Sequence, residues 1–300
     1  MDITQLNTYH GIPNHVKFVT GEGGLQYVMV QNQSATAVIA LHGGQILSYK
    51  PVTEQADLLF LSKKSIYTDG KAIRGGIPVC WPWFGPDPKG LQRPNHGFVR
   101  YHAWSVVSTA SSGTQTTVCL QFFESYKKEK TWKQPFSLTL EITVGKTLGL
   151  KLCTQNTGDK PFSITQAFHT YFNVGVIGQI QIEGLAGSEY FDKLDQGTQK
   201  EQHGNVKIGE EVDRIYTDIK NPIIIHDPIL QRKIHISSPG NETIVVWNPW
   251  IGAAKKFADF ADDDYQHFVC VETGNIAFDL ISLAPGSEHS FYTNFQIVRD

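Results

Sequence analysis

Charge of one sign is in short supply. The 300 residues carry 26 Lys and Arg against 29 Asp and Glu, a formal net charge of -3. Binding to a phosphate backbone needs a basic excess, so nucleic acid is not an expected partner. Cysteine is sparse: Cys80, Cys119, Cys153 and Cys270 are scattered, with no CxxC pair. That excludes a disulfide scaffold and predicts reduced, mostly buried thiols in a cytoplasmic protein. No apolar run approaches the roughly 20 residues that cross a bilayer, so no membrane partner is expected. The opening MDITQLNTYH has no basic segment followed by an apolar run, and no signal peptide is read there. The eleven His include no HExxH and no tight ligand spacing, so no metal is expected. Helical periodicity is nearly missing, and the best short helix is expected around 253–260.

Period two is what the chain has instead. Phe136, Leu138, Leu140, Ile142 and Val144 alternate with polar residues, and Leu148, Leu150 and Leu152 resume the pattern after Gly145-Lys146-Thr147. This predicts a hairpin with one buried face. Other strands are expected at 27–30, 36–41, 104–108, 117–123, 164–172, 223–226, 233–238, 243–247, 267–272 and 291–298. Short strands punctuated by Gly, Pro, Asn and Asp imply an all-β chain. With 40% hydrophobic residues a sizeable core is available. One large antiparallel β-sandwich domain over 1–300 is the simplest architecture, with long loops at 62–100 and 184–222 carrying function. Gly145-Lys146-Thr147 is no phosphate loop, because Leu140 stands where its first Gly is required. Asp262-Asp263-Asp264 lacks the alternation of a calcium loop and is expected to be a solvated face.

The stretch RGGIPVCWPWFGP (Arg74–Pro86) is unlike the rest. Its prolines exclude a regular helix or a central strand and predict a rigid loop. Asn95-His96-Gly97-Phe98-Val99-Arg100 closes the same loop, so Arg74 and Arg100 bracket an aromatic segment. Each arginine is a planar fork suited to phosphate or carboxylate, but pairing with surface acids accounts for both equally well. Gly75 and Gly76 leave room for a ligand beside Arg74. Trp81, Trp83 and Phe84 suit either a sugar platform or the core. His169, among Phe168, Tyr171 and Phe172, reads alone as a hydrogen-bonded core histidine. Glu272 ends an apolar strand, and a carboxylate there lines a cleft or meets a cation. Asp213, in Glu211-Val212-Asp213-Arg214, fits an exposed salt bridge.

Taken in order, RGGIPVCWPWFGP, NHGFVR, FHTYF, EVDRIY, VWNPW and FVCVETGN, from Arg74 to Asn275, resemble the hexose-6-phosphate mutarotases. These glucose-6-phosphate 1-epimerase-like proteins lie within the aldose 1-epimerase, or galactose mutarotase-like, superfamily. The resemblance implies a large antiparallel β-sandwich with a sugar cleft on its concave face, and no cofactor. It implies His169 as general acid and Glu272 as general base. It places Arg74 and Arg100, with Asn95 between them, on a phosphate or adjacent sugar oxygens. Asp213 would take sugar hydroxyls, His96 the ring oxygen or anomeric hydroxyl, and Trp81 would stand in the aromatic wall. The implied partner is a small-molecule hexose phosphate, and a monomer is expected. Thr273-Gly274 departs from the Pro or Ala often found after the base, which bears on substrate fit. Three rivals remain: a silent carbohydrate-binding module, an epimerase of unphosphorylated aldoses, and a glycoside hydrolase using Glu272 with Asp213.

Overall fold

A computed structural model describes residues 1–122 and 132–299. Alternation of apolar and polar residues dictates most of it. The hairpin read from sequence is Phe136–Val144 paired with Leu148–Asn156, Val144 lying opposite Leu148, and its Phe, Leu, Ile and Val side chains are buried. This hairpin lies inside an eight-stranded sheet, ordered Gln181–Glu183, Ile223–Asp227, Arg232–Ser237, Glu288–Val298, Leu148–Asn156, Phe136–Val144, Thr116–Gln121 and Ser105–Ser111. A second sheet runs Thr198–Glu201, Glu189–Asp192, Val212–Tyr216, Thr243–Asn248, Phe268–Asn275, Gln166–Phe168 and Val79–Cys80, with Tyr171–Asn173 also on Phe268–Asn275. The two sheets face each other. Phe168 stacks on Phe291 at 4.9 Å, and the hydroxyls of Thr273 and Thr293 meet at 2.7 Å. A four-stranded antiparallel meander from Val16–Thr20 to Gln45–Pro51 adds to the core. The fold is the all-β antiparallel sandwich expected from the alternation.

Several local expectations change. The strand expected at 164–172 is three short ones, Phe162–Ile164, Gln166–Phe168 and Tyr171–Asn173. Phe123, the end of the 117–123 reading, lies outside the described residues. The expected helix at 253–260 is instead Trp250–Ala254. Helix Ile3–His10 was not anticipated. Asp2 caps it, accepting from the Gln5 amide at 2.8 Å while the Gln5 side chain accepts from the Asp2 amide at 3.1 Å. Asp264 is not a solvated-face residue: it is buried, and accepts from Ser62 Oγ at 2.6 Å and the Ala261 amide at 2.8 Å. No described helix is long and apolar enough to cross a membrane.

Candidate active site

Strand parity positions the chemistry. Phe268–Asn275 is buried at every position. Val269 and Val271 enter the inter-sheet core and Thr273 meets the opposite sheet, so Cys270 and Glu272 project from the other face. His169 follows core-facing Phe168 and turns to that same outer face. Val212 and Val246 are likewise core, which presents Asp213 and Trp247 outward. These side chains meet loop residues around a pocket of about 230 Å³. It is lined by Arg74, Phe84, Asn95, His96, Arg100, His169, Lys193, Asp213, Val245, Trp247, Phe257 and Glu272.

His169 Nε2 and Glu272 Oε1 lie 3.4 Å apart. Both side chains are buried, and neither His169 Nδ1 nor Glu272 Oε2 has a partner among the described residues. Burial drives the Glu272 carboxyl well above its usual range, and the nearby Asp213 charge adds to this. Burial also drives His169 well below the usual imidazole range, helped by His96, Arg100 and Arg74. Both shifts run toward neutral imidazole beside carboxylic acid and away from the imidazolium and carboxylate that acid and base roles imply. The two forms hold the same number of protons and differ by one transfer across the contact.

His96 closes the pocket on its loop side. Its backbone amide donates to Gly85 O at 2.8 Å, and its Nδ1 accepts from the Gly85 amide at 3.3 Å. With Nδ1 accepting, Nε2 carries the hydrogen. Enclosure, with Arg100, Lys193 and Arg74 nearby, pushes the ring down to about 3, so His96 is a neutral donor.

The arginines are not equivalent. Arg74 already has a carboxylate: its Nε is 3.1 Å from Asp259 Oδ2, its Nη1 donates to the Tyr171 hydroxyl at 3.0 Å, and Phe257 and Phe260 flank it. Among the described residues Arg100 has only neutral partners, the Asn95 carbonyl at 3.0 Å and the Tyr101 hydroxyl at 2.8 Å, and its Nε is buried without one. The pairing reading of the sequence thus holds for Arg74. Gly75 and Gly76 do not make room for a ligand. They have φ of 114° and 63°, and a Cβ would lie 2.5 Å from Phe60 O and 2.2 Å from Ile46 O. Their freedom serves the crossing of three chain segments.

Trp81 is corrected. Its side chain is 0% exposed, its Nε1 donates to Thr154 Oγ1 at 3.0 Å, and its ring centroid lies 4.3 Å from that of Phe136. It belongs to the core and is absent from the pocket wall. Trp83 is also buried, under Arg93. Of that aromatic run only Phe84 reaches the pocket, and Trp247 and Phe257 supply the rest of the wall. Trp247 shares a strand face with Val245 and lies in the motif VWNPW, Val246–Trp250. Lys193 lies in no such motif: it opens the turn Lys193–Asp195 and pairs with Asp213 at 2.9 Å. The Thr273-Gly274 departure does not reach the pocket. Thr273 faces the opposite sheet, and a Cβ on Gly274 would meet Gln166 O at 2.4 Å.

His169, Cys270 and Glu272 place possible metal-ligand atoms within 4.8 Å of one another. A divalent cation there would face Arg74, Arg100 and Lys193 in the same pocket. Those cations fit an anion better than a second cation.

The family model for aldose 1-epimerase matches residues 26–296. The chain belongs to the aldose 1-epimerase family. It is accordingly an isomerase of the mutarotase kind. It is 35% identical over 251 residues to a "Putative glucose-6-phosphate 1-epimerase" of Escherichia coli K12, covering 83% of each chain. A protein of the same name from Cenchrus ciliaris is 34% identical over 283 residues, covering 91% of this chain and 84% of the relative. Among solved structures, a "putative mutarotase" from Salmonella typhimurium superposes with a TM-score of 0.90 at 28% identity, covering 99% of both chains. This epimerase-family chain thus shares its fold from end to end with that relative.

Proposed function

We propose that the protein interconverts the α and β anomers of glucose 6-phosphate and related hexose 6-phosphates. The observation that carries the reading is the buried His169–Glu272 pair at 3.4 Å, in a pocket that also holds Arg100, which has no carboxylate partner among the described residues. In ring opening the C1–O5 bond breaks and the C1–O1 bond becomes a carbonyl. Glu272 takes the O1 proton and His169 gives one to O5. Rotation about C1–C2 and the reverse transfers close the other anomer. O1 and O5 are both bonded to C1, so acid and base belong side by side on one wall, not across the sugar. Before reaction, the pair's proton passes from Glu272 to His169. His96 donates to O5 or the anomeric hydroxyl, and Asp213 accepts from sugar hydroxyls. Arg100 anchors the phosphate, with Asn95 beside it and Arg74 completing the basic flank. The uncatalysed reaction already proceeds in water, so acid–base gains of roughly 10²–10⁴-fold per group suffice.

The four free cysteines support a cytoplasmic setting. Anomer-exchange NMR on glucose 6-phosphate tests the reading, with glucose and galactose in parallel and Glu272→Gln as control. Acceleration limited to the phosphorylated sugar and lost in the control supports it. Equal acceleration of free sugars points to a general aldose epimerase, and none to a silent binding module.

A further inference from the structure

Besides the acid–base pair and the arginines, the pocket contains one ion pair, Lys193 Nζ to Asp213 Oδ2 at 2.9 Å. Asp213 lies on Val212–Tyr216, two strands from Glu272 across the sheet, on the flank away from Val79–Cys80 and the arginine loop. Lys193 comes from the turn joining Glu189–Asp192 to Thr198–Glu201, and that turn is braced. Asp192 accepts from the Leu194 amide at 3.1 Å and the Gly197 amide at 2.8 Å, and Thr198 Oγ1 donates to Asp195 O at 2.7 Å. Lys200 bridges Asp192 and Asp195, at 2.9 Å to each. One lysine of the hairpin ties the turn, while the other is held in the pocket, its side chain 39% exposed.

A pyranose has a fixed order of groups. C1 is bonded to the ring oxygen and to C2, and the ring oxygen leads to C5 and C6. With C1 at the His169–Glu272 pair and the C6 phosphate on the arginine flank, the C2 and C3 hydroxyls fall toward Asp213. We propose that Lys193 is a specificity-determining residue. It holds the Asp213 carboxylate as an acceptor for these hydroxyls, with its own ammonium donating beside it. This rests on the mutarotase reading above.

The electrostatics agree with the geometry. Burial raises Asp213 above the usual carboxylate range, Lys193 opposes that rise, and Asp192 beside it adds to it. Glu272, itself raised by burial and then by the Asp213 charge, with Lys193 and Arg100 opposing, lines the same pocket as Asp213. Arg74, His96, Arg100 and His169 line the same pocket from the far flank. A carboxylate accepts from two hydroxyls, whereas a carboxylic acid turns one oxygen into a donor.

The experiment measures anomer-exchange rates for wild type, Lys193→Met and Lys193→Arg. The substrates are glucose 6-phosphate and its 2-deoxy and 3-deoxy analogues. Lys193→Met should raise KM for glucose 6-phosphate by about tenfold or more with little change in kcat, the loss expected for a charge-assisted hydrogen bond. Lys193→Arg should recover most of that loss. The penalty should shrink for at least one deoxy sugar, and the acid limb of kcat/KM should move to higher pH in Lys193→Met. Equal penalties on all three sugars, or a Lys193→Met variant matching wild type, overturn the proposal. Wild type accelerating none of the three sugars overturns the mutarotase reading itself.

Discussion

Glu272 and His169 show how strongly position decides chemistry at the scale of a residue. His169 read alone as a core histidine and Glu272 as a carboxylate lining a cleft or meeting a cation, and the structure brings them into contact, each with an atom that has no partner among the described residues. Glu272→Gln and His169→Asn should each lower kcat by roughly 10²–10⁴-fold while circular dichroism stays native. Near-normal turnover in either variant removes that residue from the proposed mechanism. The same burial makes a stability prediction. The folded pKa of Glu272 lies above its unfolded value, so the folded state binds the extra proton and loses stability as pH rises between the two. Glu272→Gln should match wild type in acid and become the more stable protein above the ordinary carboxyl range. The gain is about 1.4 kcal/mol for each unit of upward shift. Thermal melts of both proteins from pH 4 to 8 check this. Trp81 carries the opposite lesson: an aromatic ring in a motif suits a wall or a core equally, and only packing on Phe136 decides between them.

At the scale of elements, strongly alternating segments were legible and polar ones were not. The Phe136–Val144 hairpin could be read from its sequence because every second side chain is apolar. The 184–222 stretch read as loop, yet it contains Glu189–Asp192, Thr198–Glu201 and Val212–Tyr216. Thr198–Glu201 is an edge strand of polar residues, with little apolar alternation to expose it. Lys193 was lost with that stretch, since a lone lysine on a turn has no pattern. The acid, the base and the arginines were found through motif resemblance, because residues from distant strands and loops share no sequence period. The crossing at Gly75 is testable. Gly75→Ala puts a Cβ 2.5 Å from Phe60 O at a φ of 114°, and should cost about 1–3 kcal/mol in urea unfolding. Unchanged stability would mean that the crossing relaxes freely.

At the scale of the whole molecule, the sandwich is a frame that gathers Arg74, Arg100 and Lys193 around the His169–Glu272 pair. Burial first, then His96, Arg100 and Arg74, lower the His169 pKa, so the two arginines add to the resistance against the imidazolium. A bound phosphate dianion offsets those charges and makes the imidazolium easier to form. Phosphate should therefore contribute to turnover as well as to binding. Free glucose, even at saturation, should have a kcat at least about tenfold below glucose 6-phosphate, the effect of roughly one pKa unit. Equal kcat values would confine the phosphate to anchoring. Arg100→Met should raise KM for glucose 6-phosphate by roughly 10–100-fold, measured by the same exchange assay. The enclosure of the pair leads to an isotopic expectation. His169 and Glu272 are 7% and 1% exposed, so hydrogen removed from the sugar is held away from bulk solvent. Of the bonds at C1, opening and closing break only the one to the ring oxygen, and C1 keeps its original O1 throughout. Sugar labelled with heavy oxygen at C1 should change anomer in ordinary water many times over and leave the pocket with its label intact.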